Sequence, residues 1–312
     1  MEINPSESIS LFGLSDFFNE IVSLHNKKKM PAKILLSGKK GLGKSTLAYH
    51  IINYILSENE EFKYDTDKHN INEKNKSFRL VKNNTHPNFY LIDSINEKKN
   101  IDVDQIREMI TYTQKSTFNN QARFILIDNI ENLNKNSVNA LLKIIEEPNE
   151  NVFFLLINNN EKKILPTLKS RCLIFKINLT FNESMNISNQ ILKKNIFDFI
   201  SYDLIHFYVT PGEIVNLVNF SIENNINLKD YTIINFLNFL IENKFYKKNK
   251  FIKKLLINYI ELFFLKEYKF SNAKNSLLKF YFIFMDKIDK AEKFNLDDES
   301  LFLEFKSKLL NG

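Results

Sequence analysis

One cysteine, no tryptophan, six glycines and six prolines are spread over 312 residues. With Cys172 alone, the chain can build neither a disulfide framework nor an all-cysteine metal site, and it suits a reducing compartment. Long apolar runs are missing too. None approaches the roughly 18 residues of a membrane span, and the stretch Leu255–Leu265 is broken by Asn258 and Glu261. Met1-Glu2-Ile3-Asn4-Pro5 is not a basic start leading into an apolar stretch, so no secretory leader is expected. Charge of one sign is barely in excess: 43 Lys and Arg against 37 Asp and Glu leave +6, with a pI near 9.0. That balance is compatible with a polyanionic partner without showing one. What is present is 44% hydrophobic and 26% charged residues, the composition of a chain that buries a core. At about 150 residues per domain the length suits two domains, or three small ones. The expectation is a soluble cytoplasmic protein.

In so glycine-poor a chain, position is informative. Gly38, Gly41 and Gly43 fall within six residues, and glycine is kept where φ must be positive or a ligand must come close. Lys33–Ser37 before them reads as a buried strand. Leu47, Ala48, Ile51, Ile52 and Ile55 after them recur at helical spacing. Residues 57–85 show no period and read as an insertion loop. Phe89–Ile92 is a second strand. Asp102–Gln105 reads as a capping box opening a helix with Val103, Ile106, Ile110 and Thr113 inward. Phe124–Ile127 is a third strand ending at Asp128. A helix over Ser137–Glu147 has Leu141, Ile144 and Ile145 inward and stops at Pro148. Val152–Ile157 and Leu173–Ile177 complete five strands. Strands alternating with helices predict an α/β fold with a parallel sheet over roughly 30–178, and an all-α remainder.

Gly38-Lys39-Lys40-Gly41-Leu42-Gly43-Lys44-Ser45 matches the P-loop pattern G-x-x-x-x-G-K-[ST] in its strand–loop–helix context. Main-chain N–H groups of the loop and helix start surround phosphates. Lys44 adds a point charge, Ser45 ligates Mg²⁺, and Thr46 follows in the first turn. Asp128 stands where a second acid supports the metal through water. The next position, where a water-activating glutamate would sit, is Asn129, which cannot act as a base. Glu131 is two positions off and is not expected to replace it. ATP or ADP binding with Mg²⁺ is therefore expected more strongly than hydrolysis.

Further landmarks carry a resemblance. They are Leu11-Phe12-Gly13, His86-Pro87-Asn88, Val103-Asp104-Gln105-Ile106-Arg107, Asn139-Ala140-Leu141-Leu142-Lys143 with Glu146-Glu147-Pro148, and Leu165 to Cys172 with its Ser170-Arg171-Cys172. In this order and spacing the chain resembles the bacterial clamp-loader subunits of the AAA+ family, over about residues 8–178, with the delta prime branch nearer than tau/gamma. The resemblance implies an AAA+ P-loop domain at 1–178, a helical lid at 179–225 and a helical collar at 226–312. It also implies tau/gamma and delta subunits, a sliding clamp and primer–template DNA as partners, and ATP as the power source. Arg171 matches the arginine such subunits present to ATP on a neighbour. Guanidinium suits developing phosphoryl charge because it stays protonated and offers several donors in one plane.

Departures from the pattern sharpen this. Residues 57–85 lack the four cysteines of the zinc module found in tau/gamma, so no zinc is expected. Thr210-Pro211-Gly212-Glu213-Ile214 has Gly212 or Glu213 where active subunits carry a phosphate-sensing lid arginine. Intrinsic ATPase is accordingly expected to be weak or absent. The alternative is a tau/gamma-like ATP-hydrolysing motor, while an unrelated P-loop kinase leaves Ser170-Arg171-Cys172 unexplained. Asn158 or Asn159 is a candidate phosphate sensor. Cys172 reads as a small buried hydrophobe. The lysines from Lys244 to Lys279 read as the solvated face of a helix bundle.

Overall fold

The computed structural model describes residues 4–94, 100–115, 121–206, 208–248, 250–270, 274–294 and 296–310. They form two compact units, Met1–Lys194 with Tyr208–Asn219, and Asn195–Phe207 with Phe220–Gly312.

The first unit is built on five parallel strands, β1 (Lys33–Ser37), β2 (Phe89–Ile92), β3 (Arg123–Ile127), β4 (Val152–Asn158) and β5 (Leu173–Lys176), in the order β2-β3-β4-β1-β5. β1 lies between β4 and β5, with Leu35 level with Leu156 on one side and Ile174 on the other. Parallel strands need helical crossovers that cover both faces, which is why the central strands are apolar throughout. Alternation then sorts their side chains. Ile34, Leu36, Phe124, Leu126, Leu155 and Ile157 face α1 (Ser15–Asn26) and α2 (Lys44–Leu56), meeting Phe18, Ile21, Leu47 and Ile51. Leu35, Ile125, Ile127, Phe154 and Leu156 face the other way. They meet Ile106 and Met109 of α4 (Val103–Thr113) and Leu141 and Ile145 of α5 (Lys135–Glu146).

Three local readings change. Residues 57–85 contain α3 (Lys76–Lys82) and bury Tyr64, Ile71, Phe78 and Val81 against α1 and α2. The segment is fixed by side-chain hydrogen bonds that leave no periodic signature. Asn75 accepts from Phe78 N–H and donates to the Phe62 carbonyl, and Ser77 bonds both Glu60 and His86. On α4, Met109 is fully buried, whereas Val103 and Ile110 are only half-buried. With Ile144 of α5 they line an open groove of about 670 Å³ between the two helices. Finally, α5 begins at Lys135, capped by Asn134, which accepts from Ser137 N–H at 2.9 Å. The capping box of α4 is present, with Gln105 accepting from Asp102 N–H at 3.0 Å.

The first unit continues through α6 (Pro166–Lys169) and α7 (Phe181–Leu192) and takes in α8 (Pro211–Glu223) as far as Asn219. The second unit comprises α9 (Ile233–Glu242), α10 (Phe245–Lys248), α11 (Lys250–Phe270), α12 (Lys274–Phe294) and α13 (Asp298–Phe305). Its core is aromatic: Phe263, Phe264 and Phe284 all pack on Phe305. Its lysines are surface partners, Lys244 and Lys247 for Glu299, Lys253 for Asp298, and Lys266 for Asp203. No helix among the described residues is long and apolar enough to cross a membrane.

Candidate nucleotide-binding site

The strand order sets the site. β1 runs into the glycine loop, β3 ends at Asp128 and β4 ends at Asn158, and the neighbours β3, β4 and β1 bring these carboxyl ends together. Crevices at strand carboxyl ends are where open parallel sheets hold ligands.

Gly41 (φ +86°) and Gly43 (φ +81°) are left-handed, which side chains resist. Gly38 is needed for space, because a Cβ there would stand 2.3 Å from the Ile177 carbonyl oxygen. The loop leads directly into α2 at Lys44. Among the described residues, the N–H groups from Gly41 to Thr46 donate to no other group. Six orphaned donors at a helix start, in a loop that presents no competing carboxylate, are a fit for phosphate oxygens.

Lys44 is 3% exposed and its ammonium donates to the Lys39 carbonyl at 2.5 Å. Burial pulls its pKa down to about 8, against the attraction of Asp128, Glu131 and Glu161. Ser45 Oγ donates to Asp128 Oδ2 at 2.6 Å. Burial holds the Asp128 carboxyl above the ordinary aspartate range; the bond from Ser45 opposes this and the charge of Asp93 adds to it. Ser45 and Asp128 thus form an oxygen pair of the kind Mg²⁺ takes beside a phosphate.

A second set of residues adjoins Asp128. Asn129, left-handed at φ +56°, donates its amide to Asp93 at 2.9 Å and accepts from Asn159 at 2.7 Å. Glu131 accepts from Asn159 N–H at 3.0 Å, and its other carboxylate oxygen is buried with no partner. Burial raises the Glu131 carboxyl. Asn158 instead bonds Ser37 and Asn160, so of the two candidate sensors Asn159 is the one joined to Asn129. Glu131, two positions from the expected base, thus joins the cluster, and so does Asp93, whose place directly after an apolar strand matches that of Asp128.

Arg171 stands apart from this cluster. It precedes β5, and in a parallel sheet that places it at the edge opposite the carboxyl ends. It bonds Glu146 through Nε and Nη2 at 3.0 and 2.5 Å and the Thr167 carbonyl through Nη1 at 2.9 Å. Cys172 is half-buried, with its thiol pushed up to about 11 by burial.

A five-stranded parallel sheet with a glycine loop between β1 and α2, and with Asp128 directly after β3, is an α/β P-loop domain. The family described as DNA polymerase III, delta subunit, matches residues 13–180, more than half of the chain, and the chain belongs to that family. It is 34% identical over 187 residues to a DNA polymerase III subunit delta' of Buchnera aphidicola, covering 59% of this chain and 55% of that one. It is 35% identical over 208 residues to a DNA polymerase III subunit gamma of the same organism, covering 64% and 54%. A subunit delta' of Pseudomonas aeruginosa is 31% identical over 138 residues, covering 44% and 40%. The chain thus matches about half the length of the first two of these relatives, and less of the third.

Proposed function

We propose that this chain is a delta prime-like clamp-loader subunit that binds ATP or ADP and contributes to hydrolysis on a neighbour rather than at its own site. The observation that carries the reading is the combination of an intact, donor-rich loop with an amide, Asn129, in place of a basic carboxylate. Gly38, Gly41, Gly43, Lys44, Ser45 and Thr46 cradle the phosphates. Ser45 and Asp128 hold Mg²⁺, which would supply charge neutralisation between phosphate oxygens. Asn129 accepts from Asn159 and donates to Asp93, so it has no lone pair of suitable basicity for a water. Arg171 serves as an arginine finger in trans on a tau/gamma-like neighbour. The helical stretches 179–225 and 226–312 act as lid and collar. The partners are other clamp-loader subunits, and through the assembled cytoplasmic complex a sliding clamp and primer–template DNA.

Calorimetric titration of the chain with Mg·ADP and Mg·ATP tests the binding, and Lys44→Ala should abolish it. The match to a gamma subunit favours a second reading, an ATP-hydrolysing motor. Steady-state turnover of the isolated chain above roughly 1 s⁻¹ would establish that reading instead.

A further inference from the structure

Where a lid arginine was expected, the first unit shows main chain against main chain. Gly212 N–H donates to the Gly41 carbonyl at 2.9 Å. The approach leaves no room for a side chain. A Cβ on Gly212 would lie 2.7 Å from Gly41 Cα and 3.1 Å from its oxygen, and a Cβ on Gly41 would lie 2.3 Å from Thr210 Oγ1. The neighbouring residues secure the contact. Thr210 N–H donates to Glu213, whose own N–H returns to Thr210 Oγ1, so the side chain at 213 is committed to capping α8. Lys39 donates to the Tyr208 carbonyl at 3.4 Å and stands 5.1 Å over its ring.

A trans peptide directs its C=O and its N–H to opposite sides, and no cis bond occurs among the described residues. Holding the Gly41 carbonyl toward Gly212 therefore turns the Leu42 N–H to the opposite side, where it is one of the orphaned donors. We propose that Gly212 is a positioning residue for nucleotide binding: its main-chain grip on Gly41 presets the Leu42 N–H for a phosphate oxygen. The role rests on the nucleotide-binding reading above and adds the element that preorganises it.

The test uses the full chain, titrated calorimetrically with Mg·ADP and separately with inorganic pyrophosphate, which has no base or ribose. In Gly212→Ala the new Cβ meets backbone that cannot yield, so the grip breaks. Both ligands should bind about tenfold more weakly, the effect of one misdirected hydrogen bond to a charged group. The melting temperature should fall by about 2–4 °C, as for the loss of one main-chain hydrogen bond in a unit this size. Should Gly212→Ala fail to fold, Lys39→Ala, a surface change that loosens the same contact, should weaken both ligands about two- to fourfold. Weakening of Mg·ADP alone would place the contact at the base, and tighter binding would make it an obstruction; either overturns the proposal. If the unmodified chain binds and Gly212→Ala binds equally well, the proposal alone fails. If the unmodified chain binds neither ligand, the nucleotide reading fails and takes the proposal with it.

Discussion

Lys44 costs the folded chain stability, and the size of that cost is a sharp test of why it is there. It is 3% exposed, its one side-chain hydrogen bond among the described residues is to the Lys39 carbonyl, and burial lowers its pKa from 10.5 to about 8. At about 1.36 kcal/mol per pH unit, that drop corresponds to about 3 kcal/mol against folding with the ammonium charged. Lys44→Met keeps an unbranched apolar stem, removes the charge and gives up one hydrogen bond worth about 1–1.5 kcal/mol. The net expectation is a gain of about 2 kcal/mol at pH 7, with nucleotide binding lost. The sign of the pH dependence follows from linkage. The folded pKa lies below the unfolded one, so folding disfavours the protonated form. The penalty is complete below about pH 8, fades as pH rises from 8 to 10.5, and is gone above that. Urea denaturation of Lys44→Met and of the unmodified chain should therefore show the largest gap at pH 7, no gap near about pH 9.5, and a reversed gap of about 1 kcal/mol above about pH 10.5, where only the lost hydrogen bond remains. A Lys44→Met chain less stable than its parent at pH 7 would refute the reasoning, since the buried ammonium would then be supported by groups the hydrogen bonds do not reveal.

Three further outcomes follow from the same geometry. Asn129→Glu replaces the amide that donates to Asp93 with a second carboxylate. It should cost about 1–3 kcal/mol in urea denaturation, recover on adding Asp93→Asn, and leave steady-state ATPase below about 1 s⁻¹; fast hydrolysis from the single change would contradict the assignment of the site. Arg171→Ala breaks an exposed pair with Glu146, so the chain should lose under about 1 kcal/mol. A reconstituted complex carrying it should assemble and bind nucleotide normally yet hydrolyse ATP more slowly, and an unmodified rate would end the trans role. His50 and His86 are buried and held near 4. Their stabilisation is present above the unfolded value near 6.5 and is lost as pH falls toward 4, by up to about 3 kcal/mol each, so stability measured at pH 7 and 4.5 should drop steeply, and less so in His86→Asn.

Much of the sheet domain was legible because its signals are local. Each central strand is a short apolar run, and the glycine cluster, Lys44 and Ser45 lie within eight consecutive residues. Residues 57–85 were not legible, because Tyr64, Ile71 and Phe78 sit seven residues apart and the segment is held by Asn75, Ser77, Glu60 and His86 rather than by a periodic face. Ile144 and Met109 exchanged roles for a related reason. Which flank of an amphipathic helix is covered depends on its neighbour, and α4 and α5 leave a groove between them. Asp93, Asn129, Asn159 and Glu131 come from the ends of three strands whose order no local pattern discloses. Gly212 was noticed only as a missing arginine; its contact with Gly41 needed coordinates.

On the proposed reading the two ends of the sheet serve different tasks, and the hydrogen bonds at Arg171 bear on the second. A guanidinium has five N–H donors in a plane. Three are used at home: Nε and one on Nη2 go to Glu146, and one on Nη1 goes to Thr167. Among the described residues this leaves one N–H on each terminal nitrogen to donate to an incoming oxygen. The side chain is about one-third exposed, so it is held without being sealed in. Ordering before contact spares rotamer entropy at the moment of binding. On the proposed reading Glu146 is thus a support that aims the arginine, and not a competitor for it. Because that support comes from α5, which packs on the same sheet that carries the phosphate loop, the loop and the arginine belong to one compact unit. On the proposed reading, a chain with a donor-rich loop, an amide where a base would act and an arginine on the opposite edge is suited to hold nucleotide itself while acting on a neighbour's.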